Sequence, residues 1–169
     1  MPKYDKIIYS YNKRDSDIIY EMTAHAIANT IIKCFDYGNK LLICGNGGSA
    51  GEAQHMAGEL ISKLYVWRKA LPAIALTTDT SIITAIGNDL GFDNVFARQV
   101  EALGKKGDVL LVLSTSGKSV NCLNAMDIAF EKGLEVIDFP REGKDTPEIQ
   151  ENQLKLIHKV CNFIEQHYI

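Results

Sequence analysis

Residues 41–59 read LLICGNGGSAGEAQHMAGE, and this stretch indicates how the rest of the chain is organised. A short apolar run breaks at glycines, and Ser49 then opens a segment with helical spacing. This order is typical of a strand, a tight turn and a helix N-terminus, which presents free backbone N–H groups to a phosphate. His55 and Glu59 lie four residues apart, so they project from one face of that helix. Phosphate binding and acid–base chemistry would then share one element.

Length and composition indicate one soluble domain over residues 1–169. Hydrophobic residues make up 46% of the chain and charged residues 23%, and the net charge of −3 does not favour a nucleic-acid-binding surface. The sequence contains neither a membrane-spanning apolar run nor a secretory signal, so we expect a cytoplasmic location and no membrane partner. Four cysteines without C-x-x-C spacing are expected to be buried reduced thiols: Cys34, Cys44, Cys122 and Cys161.

Apolar periodicity predicts helices that alternate with short strands. The helices are predicted near 16–35, 49–64, 80–87, 93–103, 119–132 and 147–168, and the strands near 40–44, 73–76, 108–113 and 134–139. This alternation predicts an α/β three-layer sandwich with a mainly parallel sheet and with ligands at the carboxyl ends of the strands. The long first helix fits either a cover for the sheet or a subunit contact.

A second polar turn, STSGKS at residues 114–119, follows the predicted third strand. Its four hydroxyls stand beside backbone donors at a helix start, which favours a phosphomonoester dianion, whereas helix capping accounts for one hydroxyl. The first turn matches neither the P-loop pattern nor the dinucleotide fingerprint, so the sequence predicts no nucleotide cofactor.

Three side chains are candidates for acid–base chemistry or metal binding. His55 and Glu59 also fit an exposed helix pair, and H-x-x-x-E is not the zinc protease signature. His158 lies on the apolar side of the last predicted helix, with Gln150 two turns away near the same face. A satisfied core histidine and a buried polar site both fit that pattern.

Taken together, the ordered motifs resemble the sugar isomerase (SIS) domain family and, within it, the phosphoheptose isomerase branch. The resemblance runs from about residue 16 to the C-terminus. Its motifs are GNGGS at 45–49, QH at 54–55, EL at 59–60, GND at 87–89, STSG at 114–117 with Ser119, and IQE at 149–151 with His158.

The resemblance implies a flavodoxin-like fold and an aldose–ketose isomerase acting on sedoheptulose 7-phosphate. The product would be D-glycero-D-manno-heptose 7-phosphate, which leads to nucleotide-activated heptose for bacterial surface polysaccharides. Family members work as homotetramers with sites at subunit contacts. By position, Glu59 matches the catalytic base and His158 the catalytic acid. The implied sugar contacts are Asn46, Gly47, Gly48, Ser49, Asn88, Asp89 and Gln150, and the implied phosphate contacts are Ser114, Thr115, Ser116 and Ser119. In some members zinc binds at the positions of His55, Glu59, Gln150 and His158.

Two other classes share this fold. One is a non-catalytic partner in replication initiation. That protein has other residues at the positions of Glu59 and His158, whereas this chain has the glutamate and the histidine. The other is a phosphosugar-binding regulator, which usually lies beside a DNA-binding domain for which this chain has no room.

The chain departs from the family pattern after Phe139, where relatives continue through a turn, a short helix and a fifth strand. Loss of about twenty residues there would remove an edge strand and its crossover, which a folded sheet rarely tolerates. We therefore expect that a loop near 139–140 is omitted from the sequence.

Overall fold

The computed structural model describes residues 16–169 and, within them, one sheet covered by helices on both faces. The strands are β1 (Leu41–Gly45), β2 (Ala73–Ala75), β3 (Val109–Leu113) and β4 (Glu135–Asp138). The helices are α1 (Ser16–Asp36), α2 (Gly48–Ile61), α3 (Thr80–Asp89), α4 (Ala97–Leu103), α5 (Val120–Lys132) and α6 (Thr146–His167), with a 3₁₀ turn at Phe92–Asn94.

The four strands are parallel and lie in the order β2-β1-β3-β4. Every residue of β1 and β3 is buried, because helices cover both faces of these central strands. The order reverses between β1 and β3, where Gly45 pairs with Leu113. Such a reversal opens a crevice at the carboxyl edge of a doubly wound sheet. The predicted three-layer α/β fold is confirmed.

Side chains of alternate strand residues pack into two separate apolar cores. Leu41 and Ile43 face the first core, with side chains from α1, α2 and α6, whereas Leu42 and Cys44 face the second, with side chains from α4 and α5. Each fully buried aliphatic side chain contributes about 1.5–3 kcal/mol relative to exposure. The four cysteines are free and buried, as predicted. Among residues 16–169, none of the helices is long and apolar enough for a bilayer crossing.

Three helix boundaries differ from those expected. Helix α2 ends at Ile61 rather than near residue 64, because the backbone N–H groups of the next residues bond to a buried carboxylate on α6, described below. Helix α3 continues to Asp89, with Gly87 inside it. The helix expected at 93–103 begins as the 3₁₀ turn and becomes regular only at Ala97.

Strand β4 forms one edge of the sheet, and the chain then turns directly towards α6. Phe139 N–H donates to Val112 O at 3.0 Å, and Gln153 Nε2 donates to Pro140 O at 2.9 Å. Helix α6 begins at Thr146, where Asp145 accepts a capping bond from Glu148 N–H. No fifth strand stands between β4 and α6.

Candidate active site

The first polar turn leaves the sheet at its reversal point and enters α2. A side chain on Gly45 would place Cβ 2.8 Å from Leu113 O and 2.9 Å from Ser49 Cβ, so only glycine lets the turn fold this tightly against β3. Gly47 has φ 56 and precedes α2. The N–H groups of Ser49 and Ala50 donate to Asn46 O and Gly47 O at 3.0 and 3.1 Å, which leaves Gly48 N–H as the donor for a ligand at this helix start. Ser49 is buried beneath this turn.

Gln150 reaches the same turn from α6. A Cβ on Gly48 would lie 2.4 Å from Gln150 Nε2, so the glutamine amide packs directly on the backbone of the first turn. The structure therefore brings together Gly48 and Gln150, which are 102 positions apart in the sequence.

The second polar turn leaves β3 beside the first. Ser114 Oγ accepts from Gly117 N–H at 3.1 Å and lies 3.4 Å from Ser119 Oγ. Ser116 Oγ accepts from Lys118 N–H at 3.1 Å, and Thr115 is half-buried. Ser119 occupies the N-cap position of α5 without making a side-chain capping bond. Capping therefore does not account for its hydroxyl, and the start of α5 retains free donors.

Three titratable side chains converge beyond the first turn. His55 and Glu59 share one face of α2, with Nε2 and Oε1 3.3 Å apart. His158, on α6, places its Nε2 2.8 Å from His55 Nε2. One of these two nitrogens must carry the bonding hydrogen and the other must accept it. His158 is thus part of a polar site and not a satisfied core histidine, and both histidines are within reach of the glutamate.

This cluster fits a divalent cation of zinc type. The three ligand atoms of His55, Glu59 and His158 all lie within 4.8 Å of one another. Two nitrogens and one carboxylate oxygen form a donor set common in catalytic zinc sites. Donors on one tetrahedral zinc ion lie about 3.3 Å apart, given bonds of about 2.0–2.1 Å. The distance between His55 Nε2 and Glu59 Oε1 has that value, whereas the two histidine Nε2 atoms lie 2.8 Å apart and would have to separate by about 0.5 Å to share one ion.

Comparison with known proteins agrees with this geometry. A model of the SIS domain matches residues 17–139. A phosphoheptose isomerase of Trichlorobacter lovleyi is 48% identical over an alignment of 164 positions, which covers 86% of this chain and 84% of the relative. The chain belongs to the phosphoheptose isomerase family. Another family member, from Bradyrhizobium, is 50% identical and covers 85% of this chain and 80% of the relative.

Solved structures of phosphoheptose isomerases have the same fold. The protein from Francisella tularensis superposes with a TM-score of 0.81 at 35% identity, over 90% of this chain and 94% of that one. The protein from Neisseria gonorrhoeae gives 0.76 at 41% identity, over 83% and 85%. The resemblance stated from the sequence motifs is confirmed, and the chain is an isomerase of the phosphoheptose isomerase family.

Three residues implied by the family resemblance have other contacts here. Asn88 and Asp89 are exposed on the last turn of α3, where Asn88 Nδ2 donates to Asp89 Oδ1 at 2.7 Å. Asn46 turns its side-chain amide towards α5. Binding of a sugar would have to engage Asn88 and Asp89 from the solvent side.

Arg141 is a residue near the candidate site that the sequence motifs did not identify. Its Nε donates to Ser114 O at 2.7 Å, and its guanidinium pairs with Asp138. The guanidinium carbon lies 2.9 Å from the place where a Cβ on Gly117 would stand. The arginine therefore lies against the second turn. No sequence signal points to it, because the contact joins segments that meet only after folding.

Glu52 is a second carboxylate on α2 that the motifs did not single out. It is buried one turn after Ser49, and burial raises the pKa of its carboxyl group while Ser49 opposes the shift. Neither carboxylate oxygen of Glu52 makes a hydrogen bond of good geometry. The weak contact with Ser49 therefore lowers the pKa by less than the loss of hydration raises it. The carboxyl of Glu52 is therefore a weaker acid than that of an exposed glutamate.

Proposed function

We propose that this protein converts sedoheptulose 7-phosphate into D-glycero-D-manno-heptose 7-phosphate, the first step towards nucleotide-activated heptose in bacteria. The observation that carries the proposal is the meeting of Glu59, His55 and His158 beside two polar turns at the reversal point of the sheet. The names of the relatives point to the same reaction class. A non-catalytic role is less well supported, because the acid–base residues are present and within reach of one another.

The chemistry requires one base and one acid. Glu59 would take the proton from C1 of the open-chain ketose, giving a cis-enediol, and return it to C2. His158 would donate a proton to the oxygen at C2 as the enediol forms, and would take the proton of the C1 hydroxyl as the carbonyl forms at C1. The hydrogen count is unchanged and no external oxidant or reductant is consumed, so a nucleotide cofactor is unnecessary.

Substrate binding would be divided between the two turns. The phosphate would meet Ser114, Thr115, Ser116 and Ser119 with the free N–H groups at the start of α5. The sugar would lie over the first turn, against Gly47, Gly48 and Ser49, with Gln150 packed beside it. Asn88 and Asp89 would contact sugar hydroxyls from the rim.

Zinc is a proposed cofactor of this site. His55, Glu59 and His158 would hold the ion, and Gln150 would complete the set after moving from Gly48. When bound, zinc would act as a Lewis acid that polarises the substrate oxygens. Metal analysis of purified protein should find zinc, and a His55→Asn variant should lose it. Retention of zinc by that variant would argue against these ligands.

The family resemblance also leads us to propose a homotetramer. Its support here is the exposed apolar surface of α3, none of whose residues is buried, together with Leu90 and Phe92, which are 55% and 58% exposed. Measurement of the mass in solution by light scattering tests this, and a monomer would contradict it.

The single domain over residues 1–169 is proposed to include a further loop near 139–140. The alignment with the Trichlorobacter protein has 164 positions but takes in 86% of the 169 residues, about 145, so about 19 positions of the relative have no partner here. An intact mass above 18.7 kDa for protein from its natural source would support the loop, and 18.7 kDa would contradict it.

The Glu59→Gln variant tests the proposed function. The amide keeps the shape of the side chain but cannot abstract a proton, so turnover of sedoheptulose 7-phosphate should vanish while binding of the sugar phosphate remains. Glu151→Gln, on an exposed position of α6, is the matched control and should retain activity. Undiminished isomerase activity in Glu59→Gln would overturn the assignment.

A further inference from the structure

The two polar turns are joined by a pair of side-chain amides. Asn46 is the first residue after β1, and Asn121 is the second residue of α5. Asn46 Nδ2 donates to Asn121 Oδ1 at 2.9 Å, and Asn121 Nδ2 donates to Asn46 Oδ1 at 2.8 Å. The bond is therefore reciprocal, and it links residues 75 positions apart in the sequence.

The pair lies where the two polar turns leave the sheet. Gly45 and Leu113 are partners in the register of β1 and β3, so the two turns leave the sheet side by side. Beyond that point each turn follows its own path into a different helix. The amide pair bridges them immediately above the sheet, between the proposed sugar-binding turn and the helix that follows the phosphate-binding turn.

The chemistry of the pair limits what Asn46 can do for a substrate. Each amide donates one N–H to the other and accepts one hydrogen bond at its carbonyl oxygen. The second N–H of Asn46 points towards Cys122, with Nδ2 3.9 Å from Sγ. Asn121 is only 3% exposed, so loss of its partner would leave a buried amide unsatisfied. The hydrogen bonds of the Asn46 side chain are therefore made to α5.

We propose that Asn121 is a positioning residue for the isomerase reaction. It holds Asn46 and so fixes the spacing between the sugar-binding and phosphate-binding turns. Through this pair the side chain of Asn46 acts on the spacing of the two turns. The proposal rests on the proposed function, because only a sugar phosphate long enough to reach both turns depends on their spacing.

The test is a double-mutant cycle with Asn46→Ala, Asn121→Ala and the double variant, assayed with sedoheptulose 7-phosphate. Each single variant should lower kcat/KM by about ten- to a hundredfold, as expected for a lost buried hydrogen-bond pair. The double variant should lose no more than either single variant, because the second change removes nothing further. If the loss of kcat/KM in the double variant equals the product of the two single losses, the two residues act independently and the proposal is overturned.

Inhibition by inorganic phosphate separates positioning from a general structural role. Phosphate alone occupies only the second turn, so its inhibition constant should change by less than about twofold in Asn121→Ala. An equal loss of phosphate and substrate affinity would place Asn121 in the phosphate site itself and overturn the proposal.

Two further variants complete the test. Asn124→Ala, on the same helix, removes only a bond to Asp93 O and should leave kcat and KM unchanged. If Asn121→Ala does not fold, Asn121→Ser and the partly exposed Asn46→Ala give the same comparison. Wild-type protein in the same assay tests the proposed function separately. An inactive wild type refutes that function, whereas an active wild type with unaffected variants refutes the amide pair.

Discussion

Replacement of Glu165 tests how the segment after α2 is held. Glu165 is 2% exposed on α6, and its carboxylate accepts three backbone bonds from the other side of the core. Oε1 accepts from Leu64 N–H at 2.9 Å, and Oε2 accepts from Tyr65 and Val66 N–H at 2.8 and 3.3 Å. These bonds replace those that α2 would have made by continuing, and they hold the exit of the helix that carries Glu59.

The cost of Glu165→Gln follows from those contacts. The amide oxygen can keep the two bonds of Oε2, but its NH₂ group then faces Leu64 N–H, donor against donor. One bond to a charged acceptor is lost, which costs about 1.5–3 kcal/mol. Since Tyr65 and Val66 are exposed and water can reach them, we expect about 2 kcal/mol in all. With an m-value of about 2 kcal/mol/M, the urea midpoint should fall by about 1 M.

The assay is urea unfolding followed by circular dichroism, at one fixed protein concentration because association changes apparent stability. Glu151→Gln, exposed on the same helix, is the control and should shift the midpoint little. A midpoint for Glu165→Gln equal to that of wild type would refute this account of the segment.

The pH dependence gives a second, independent readout. Burial alone would raise the pKa of the Glu165 carboxyl, but the N–H groups of Tyr65, Leu64 and Val66, with Arg68, outweigh it and hold the pKa below its usual value. The stability from this group is therefore present above the unfolded pKa of about 4.3 and is lost as pH falls. The difference in the free energy of unfolding between wild type and Glu165→Gln should be smaller at about pH 4 than at about pH 7. An equal difference at both pH values would contradict the prediction.

Two other substitutions distinguish residues that affect catalysis from residues that affect only stability. Gly48→Ala should displace Gln150, because the new Cβ would lie 2.4 Å from Gln150 Nε2, and it should lower kcat/KM about tenfold. Gly51→Ala is the control: its Cβ would enter open space, so kcat/KM should not change. Asp108→Asn weakens bonds to Lys40 N–H and Nζ at 3.0 and 2.5 Å at the opposite edge of the sheet, so it should lower stability by about 2–4 kcal/mol. Its kinetics well below the melting temperature should match wild type, and impaired kinetics there would show that the two edges are coupled.

Local sequence signals predicted most of the fold. The apolar runs of β1 and β3 are short and end at glycine or serine, so they predict buried parallel strands with ligand-binding turns at one edge. The spacing of His55 and Glu59 places both on one helix face by geometry alone. Helix ends were less predictable, as the early end of α2 depends on Glu165, a hundred residues away in the sequence.

The sequence by itself determined the parallel α/β fold, the two polar turns and the paired side chains of α2, because each follows from backbone geometry within a few residues. Only the tertiary structure decided that His158 meets His55, that Gln150 lies on Gly48 and that Asn121 bonds to Asn46. Each of these contacts spans 75 to 103 positions of the chain. They arise from strand order and helix packing, which bring distant segments together and leave no periodic trace in the sequence.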